Sequence, residues 1–167
     1  MCRASLMICV LQLLVRIEGQ KLQRYVLDKS KYPKAVCLDG SSPYVYVRPG
    51  STKWIIHLKG GGSCNDEAEC TARAKTKLGS SRTWQLTESQ IALAIDTVEF
   101  KDFTQAKLLY CDGQLHSGTK TPGDSSTWNL HFAGRHIVEA ALTELLESHG
   151  LKDAKVLILT GGSAGGA

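Results

Sequence analysis

The sequence predicts an α/β protein with a mostly parallel sheet and flanking helices. Three observations carry the prediction. Short apolar runs without polar alternation, in residues 54–58 and 154–160, read as buried strands. Residues 133–148 carry an apolar stripe at helical spacing, with Ile137, Ala141 and Leu145 beside Val138, Leu142 and Leu146. Both apolar runs empty into glycine clusters, Gly60-Gly61-Gly62 and Gly161-Gly162-Ser163-Ala164-Gly165. The chemistry of the chain therefore gathers where buried strands end.

Composition narrows the field. The 167 residues are 43% hydrophobic and 22% charged, enough apolar material for one core and unlike a disordered or fibrous chain. The 20 Lys and Arg residues against 16 Asp and Glu give a formal charge of +4, and they are scattered rather than clustered. That balance argues against nucleic-acid binding and permits an anionic substrate without requiring one.

Met1, Cys2 and Arg3 form a short positive start, and residues 4–15 contain only Ser5 and Gln12 as polar side chains. This has the length of a signal-peptide core and is too short to span a membrane. A signal peptide over residues 1–19, with Gly19 as the best small exit residue, leaves residues 20–167 as the domain. No later apolar run reaches membrane-spanning length, so no span is expected in the mature chain.

Residues 34–38 and 44–47 flank the turn-rich Asp39-Gly40-Ser41-Ser42-Pro43 and read as a hairpin. Residues 54–58 read as a buried strand. Residues 66–78, rich in Ala, Glu, Lys and Arg, read as a helix closed by Gly79. Residues 107–111 form another strand, ending in Asp112-Gly113. The helix over 133–148 ends at His149 and Gly150, and the apolar Val156-Leu157-Ile158-Leu159 that follows reads as a strand covered on both faces.

Outside the signal segment stand Cys37, Cys64, Cys70 and Cys111. Four thiols allow three connectivities. The short spacing between Cys64 and Cys70 favours a local loop there, which leaves Cys37 to pair with Cys111. Buried free thiols and a zinc site are the competing readings; no cysteine–histidine spacing of the usual zinc kind is present, so no metal site is expected.

In Gly161-Gly162-Ser163-Ala164-Gly165 the serine has glycine at −2 and +2 and small residues on either side. A nucleophile elbow needs this pattern. The chain turns so sharply out of its strand that only tiny neighbours fit, which exposes the serine Oγ and turns the next amide, that of Ala164, toward an oxyanion. Gly60-Gly61-Gly62, following an earlier strand, is placed to supply the further amides that acyl transfer requires. A phosphate-cradling loop is the alternative, but the Lys-Ser/Thr ending of such loops is missing.

Six segments, in order, resemble the motifs of the pectin acetylesterase family, which includes the Notum carboxylesterases. They are Cys37-Leu38-Asp39-Gly40-Ser41, Leu58-Lys59-Gly60-Gly61-Gly62-Ser63-Cys64-Asn65, Cys70-Thr71-Ala72-Arg73, Leu78-Gly79-Ser80-Ser81, Tyr110-Cys111-Asp112-Gly113 and Gly162-Ser163-Ala164-Gly165-Gly166. Asn129-Leu130-His131-Phe132-Ala133-Gly134-Arg135 is similar to the segment the family carries ahead of its elbow.

The resemblance implies a secreted serine esterase of α/β-hydrolase type, extracellular or in the cell wall, acting on an acetylated, pectin-like polysaccharide. It implies Ser163 as nucleophile, Gly61, Gly62 and Ala164 as oxyanion-hole amides, no metal or cofactor, and disulfides at the four cysteines. A Notum-like deacylase with a longer acyl substrate and a non-catalytic glycan-binding relative are the alternative readings. The chain departs from the family at Gly62 and Ser63, where plant-type members have tryptophan at the second position and Notum-type members a bulky aromatic pair, so the acyl pocket is expected to be more open.

Triads on this fold run Ser, then Asp or Glu, then His. The acid and the base are therefore expected after Ala167, and the chain as the front part of a larger, C-terminally extended domain. By itself it is expected to be inactive and to leave apolar surface uncovered. His57, His116, His131, His136 and His149 all precede the serine and read as strand, loop and helix residues, and Asp112 reads as a surface-turn carboxylate, with a part in holding the site as the alternative.

Overall fold

The computed structural model describes residues 21–91, 100–120 and 127–167. The expected signal peptide over residues 1–19 lies outside the described residues. Six strands, β1 (Leu22–Val26), β2 (Tyr44–Arg48), β3 (Lys53–Leu58), β4 (Thr87–Glu88), β5 (Thr104–Leu108) and β6 (Val156–Gly161), form one sheet in the order β4-β1-β2-β5-β3-β6. Two helices accompany it, α1 (Glu67–Ala74) and α2 (Gly134–Ser148).

This is the expected α/β architecture, with a mixed sheet. Strand β3 pairs in parallel with β5 and with β6, while β1, β2 and β4 join by antiparallel pairing and β2 meets β5 antiparallel. The parallel part ends in the two glycine clusters. Because the register sets Leu58 beside Gly161, the two clusters leave the sheet side by side at one edge.

Strand alternation sorts the residues into faces. Trp54 and Ile56 of β3, Ala106 and Leu108 of β5 and Val45 and Val47 of β2 share a buried cluster with Ile137, Ala141 and Leu145 of α2. Ile55 enters a separate cluster with Ile91 and Phe103. Helix α2 thus covers one face by its apolar stripe. It ends at His149, whose ring stands edge-on to Tyr25, and the chain escapes through Gly150 at φ +83°, a left-handed position that favours glycine.

The structure corrects four expectations. Residues 34–38 are not a strand: Ala35, Val36, Cys37 and Leu38 are buried, but in a loop held by the Cys37 amide on the Ser41 carbonyl (2.9 Å) and the Leu38 amide on the Cys111 carbonyl (2.8 Å). The partner of β2 is β1, from before that loop.

The helix expected over 66–78 stops at Ala74. Its start is capped by Asp66, which accepts from the Glu69 amide at 2.8 Å. Gly79 serves packing instead of capping, since a side chain there would collide with the Arg73 carbonyl and the Ala74 backbone.

The strand expected at 107–111 is shifted to Thr104–Leu108. Residues 109–111 stay buried as they leave the sheet. Strand β6 is not covered on both faces. Leu157 and Leu159 are 54% and 66% exposed, on a face of β6 that no described helix covers.

Candidate active site

The elbow is built by steric exclusion. A side chain on Gly161 would strike the Gly165 carbonyl, and one on Gly165 would strike the Leu58 carbonyl. Glycine at −2 and +2 from Ser163 is therefore what lets β6 turn back beside β3. Ser163 sits at φ +53°, in the left-handed region that L-residues avoid at a cost of roughly 1–2 kcal/mol. The turn is held by the Gly162 amide on the Leu58 carbonyl (3.1 Å), the Gly165 amide on the Gly162 carbonyl (3.0 Å) and the Gly166 amide on the Ser163 carbonyl (2.8 Å). Ser163 is exposed, while Ala164 is buried.

The glycine loop meets this turn directly. A Cβ on Gly60 would lie 2.8 Å from the Ser163 Cβ and 3.0 Å from the Ala164 nitrogen, and would overlap the Gly162 carbonyl. Gly61 packs on the Tyr110 ring with no space for a side chain, and Gly62 takes φ +71°. The amides of Gly61, Gly62 and Ala164 have no hydrogen-bond partner among the described residues. The turn and the loop thus bring an exposed hydroxyl and three unpaired amides to one end of the sheet.

Three side chains hold the loop from behind. The Arg73 guanidinium, on α1, donates to the Gly61 carbonyl (2.6 Å) and the Ser63 carbonyl (2.8 Å). The Tyr110 hydroxyl donates to the Gly62 carbonyl and accepts from the Leu115 amide (3.1 Å). Burial pushes the Tyr110 phenol up to about 12, so it stays a donor at physiological pH. The His116 Nε2 lies 3.0 Å from the Lys59 carbonyl, and its ring stands edge-on to Tyr110.

Asp112 is a correction to the sequence reading. It is fully buried, not a surface-turn carboxylate. Its Oδ2 accepts from the Gln114 amide (3.1 Å) and the His116 amide (3.0 Å), closing the turn that carries His116. A side chain on Gly134, the first residue of α2, would run into this carboxylate. Burial pushes the Asp112 carboxyl up, opposed by His116 and the backbone amides. His116 lies in a turn, as a loop residue, and is buried.

Two disulfides frame the site. Cys64–Cys70 ties the end of the glycine loop to α1, and Cys37–Cys111 ties the 34–38 loop to the end of the β5 segment, with Cα atoms 5.2 and 5.0 Å apart. His57, one strand position from the loop, is half-buried; burial, then Lys107 and Lys59, push its imidazole down. A cleft of about 320 Å³ opens beside Gly60, with Lys59, Lys77, Trp84, Glu88 and Tyr110 in its wall. Among the described residues no three His, Cys, Asp or Glu side chains gather to hold a metal ion, and no helix is long and apolar enough to cross a membrane.

A mixed α/β sheet in which β6 ends in a strained, exposed serine against a glycine loop is an α/β-hydrolase-like fold. Comparison with known proteins gives the family: the model of the family described as Pectinacetylesterase matches residues 15–167. The chain belongs to the pectinacetylesterase family. It is 44% identical over 140 residues to Pectin acetylesterase 5 of Arabidopsis thaliana, covering 79% of this chain and 33% of the relative. It is 38% identical over 150 residues to Pectin acetylesterase 4 of the same plant, covering 83% and 36%. Against the Palmitoleoyl-protein carboxylesterase NOTUM of Schmidtea mediterranea it is 31% identical over 164 residues, covering 90% and 30%. The chain spans about a third of the length of these curated relatives.

The sequence reading named Ser163, Gly61, Gly62 and Ala164, which the fold brings to one edge. It left Arg73, Tyr110 and His116 without roles at the site. Arg73 and Tyr110 stood inside quoted motifs; the signal that could have singled them out is a large donor side chain close to a disulfide-forming cysteine, Arg73 after Cys70 and Tyr110 before Cys111, beside a loop too poor in side chains to hold itself.

Proposed function

We propose that the protein is a secreted serine carboxylesterase that removes O-acetyl groups from pectin or a related cell-wall polysaccharide. The observation that carries the reading is Ser163, exposed at φ +53° with the glycine loop against its Cβ. Membership of the pectinacetylesterase family supports the reaction and the substrate class.

In this mechanism the Ser163 Oγ attacks the acetyl carbonyl while a histidine base takes its proton. The amides of Gly61, Gly62 and Ala164 receive the charge that develops on the carbonyl oxygen, the sugar alcohol leaves, and water hydrolyses the acetyl-enzyme by the same route. A histidine base held by an acidic partner completes the triad that activates Ser163. No metal or cofactor takes part. The cleft beside Gly60, with Lys59, Lys77 and Glu88 in its wall, offers polar groups to a hydroxyl-rich polymer. Two disulfides fit an extracellular destination, reached through a signal peptide over residues 1–19.

The test is acetate release from acetylated pectin by the full-length protein and by its Ser163→Ala variant. Loss of more than about a thousandfold in the variant is expected. Equal rates in the two proteins would remove the reading.

A further inference from the structure

The glycine loop cannot orient its own amides. Gly60, Gly61 and Gly62 have no side chains, and the amides that face the elbow are unpaired. A flexible loop of this kind would lose in the transition state what it must spend on ordering, so something has to fix its peptide planes beforehand.

We infer that Arg73 is the positioning residue that does this. The inference rests on the reading of Ser163 as an esterase nucleophile. In a planar trans peptide the carbonyl of one residue and the amide of the next point in opposite directions. The bond from Arg73 to the Gly61 carbonyl therefore sets the direction of the Gly62 amide, away from the guanidinium and toward the acyl oxygen. The second bond, to the Ser63 carbonyl, fixes the far end of the loop. One rigid fork thus holds two peptide planes of the loop at 2.6 and 2.8 Å.

The surroundings preset the fork. The Arg73 side chain is 15% exposed, and its Nε is buried without a partner, so the guanidinium is taken out of water for the sake of these two carbonyls. Glu69, one turn earlier on α1, lies 4.0 Å from the guanidinium while its other oxygen accepts from the Asn65 amide at 3.0 Å. The Cys64–Cys70 bridge joins the residue that ends the loop to the residue one turn before Arg73, so helix and loop cannot slide against each other. Tyr110 braces the same loop at the Gly62 carbonyl from the opposite element.

The test compares wild type, Ser163→Ala, Arg73→Met and Arg73→Lys in the full-length protein, by kcat and KM on an acetyl ester and by inhibition with a boronic acid, whose tetrahedral adduct on Ser163 uses the oxyanion amides. Arg73→Met keeps the apolar stem and removes the donors. It is expected to lower kcat about 10- to 100-fold and to weaken the boronic acid by a similar factor, with KM within about twofold. A merely structural role would lower the melting temperature without this split. Should Arg73→Met fail to fold, Arg73→Lys decides, with a kcat loss of about 5- to 20-fold expected because a single ammonium cannot reproduce the fork. A folded variant with kcat within about threefold of wild type, or one changed in KM alone, overturns the inference. If Ser163→Ala is as active as wild type, the esterase reading fails and the positioning role falls with it.

Discussion

Gly60 stands against Ser163 with no room between them: a Cβ at position 60 would sit 2.8 Å from the Ser163 Cβ. Gly60→Ala is therefore expected to push the elbow and the loop apart. Displacements of about 1 Å in a catalytic site cost around a hundredfold in rate, and a loss of at least that size in kcat/KM is expected in the full-length enzyme. Gly150→Ala is the control. Its φ of +83° costs about 1 kcal/mol in stability, but no atom lies within 4 Å, so activity should not change.

The two disulfides differ in what they restrain. Cys37–Cys111 closes a separation of 74 residues and Cys64–Cys70 one of 6. In the chain-entropy description, losing the longer bridge costs about 4 kcal/mol and losing the shorter about 2 kcal/mol. Denaturant midpoints of the paired Cys→Ala variants would measure the order. The shorter bridge, though cheaper to lose, should cost more activity, because it ends on the loop that Arg73 holds.

Asp112 is fully buried and accepts two amides, those of Gln114 and His116. Asp112→Ala leaves both donors without their acceptor and is expected to destabilise by about 2–4 kcal/mol. Asp112→Asn retains an acceptor oxygen and should cost less than half of that, a difference readable by thermal unfolding. Equal losses in the two variants would contradict the role assigned to the carboxylate.

Glu144 on α2 accepts from Lys31 at 2.8 Å and from the Tyr32 hydroxyl at 2.9 Å, and these contacts, the Lys31 bond first, hold its carboxyl down to about 2. A depressed carboxyl stabilises the fold above the pKa it has when unfolded, and that contribution is lost as pH falls through the folded value. The link between the 28–32 turn and α2 should therefore weaken between the usual carboxylate range and about pH 2. Acid titrations followed by circular dichroism should show a shallower slope in that window for Glu144→Gln. The effect is modest, since Lys31 is 44% exposed and water screens the pair.

What the sequence made legible was whatever depends on local sterics or periodicity. The elbow could be read because Gly161 answers to a collision with the Gly165 backbone a few residues on, and α2 because its stripe repeats every turn. Strand β1 escaped because Leu22 is its one buried residue and Leu-Gln-Arg-Tyr-Val shows no clean alternation. Residues 34–38 read as a strand because a buried loop stapled by Cys37 has the same apolar composition as one. The hold of Arg73, Tyr110 and His116 on the glycine loop could not be read at all, since each of those bonds joins residues brought together only by the finished fold.

The β3–β6 register has a consequence in time. Lys53 pairs with Val156, whereas β1 and β2 meet across one short stretch of chain. Contacts between distant parts of a sequence carry the larger loop-closure cost and form late. The hairpin of β1 and β2, and even the covalent closure of Cys37 on Cys111, can be complete while β6 has yet to dock. Ser163 then acquires its strained backbone at the end of folding, and the Gly162 amide, bonded to Leu58, would be among the last to gain protection from hydrogen exchange. Ser163 therefore takes up its left-handed backbone in the same event that docks β6 on β3.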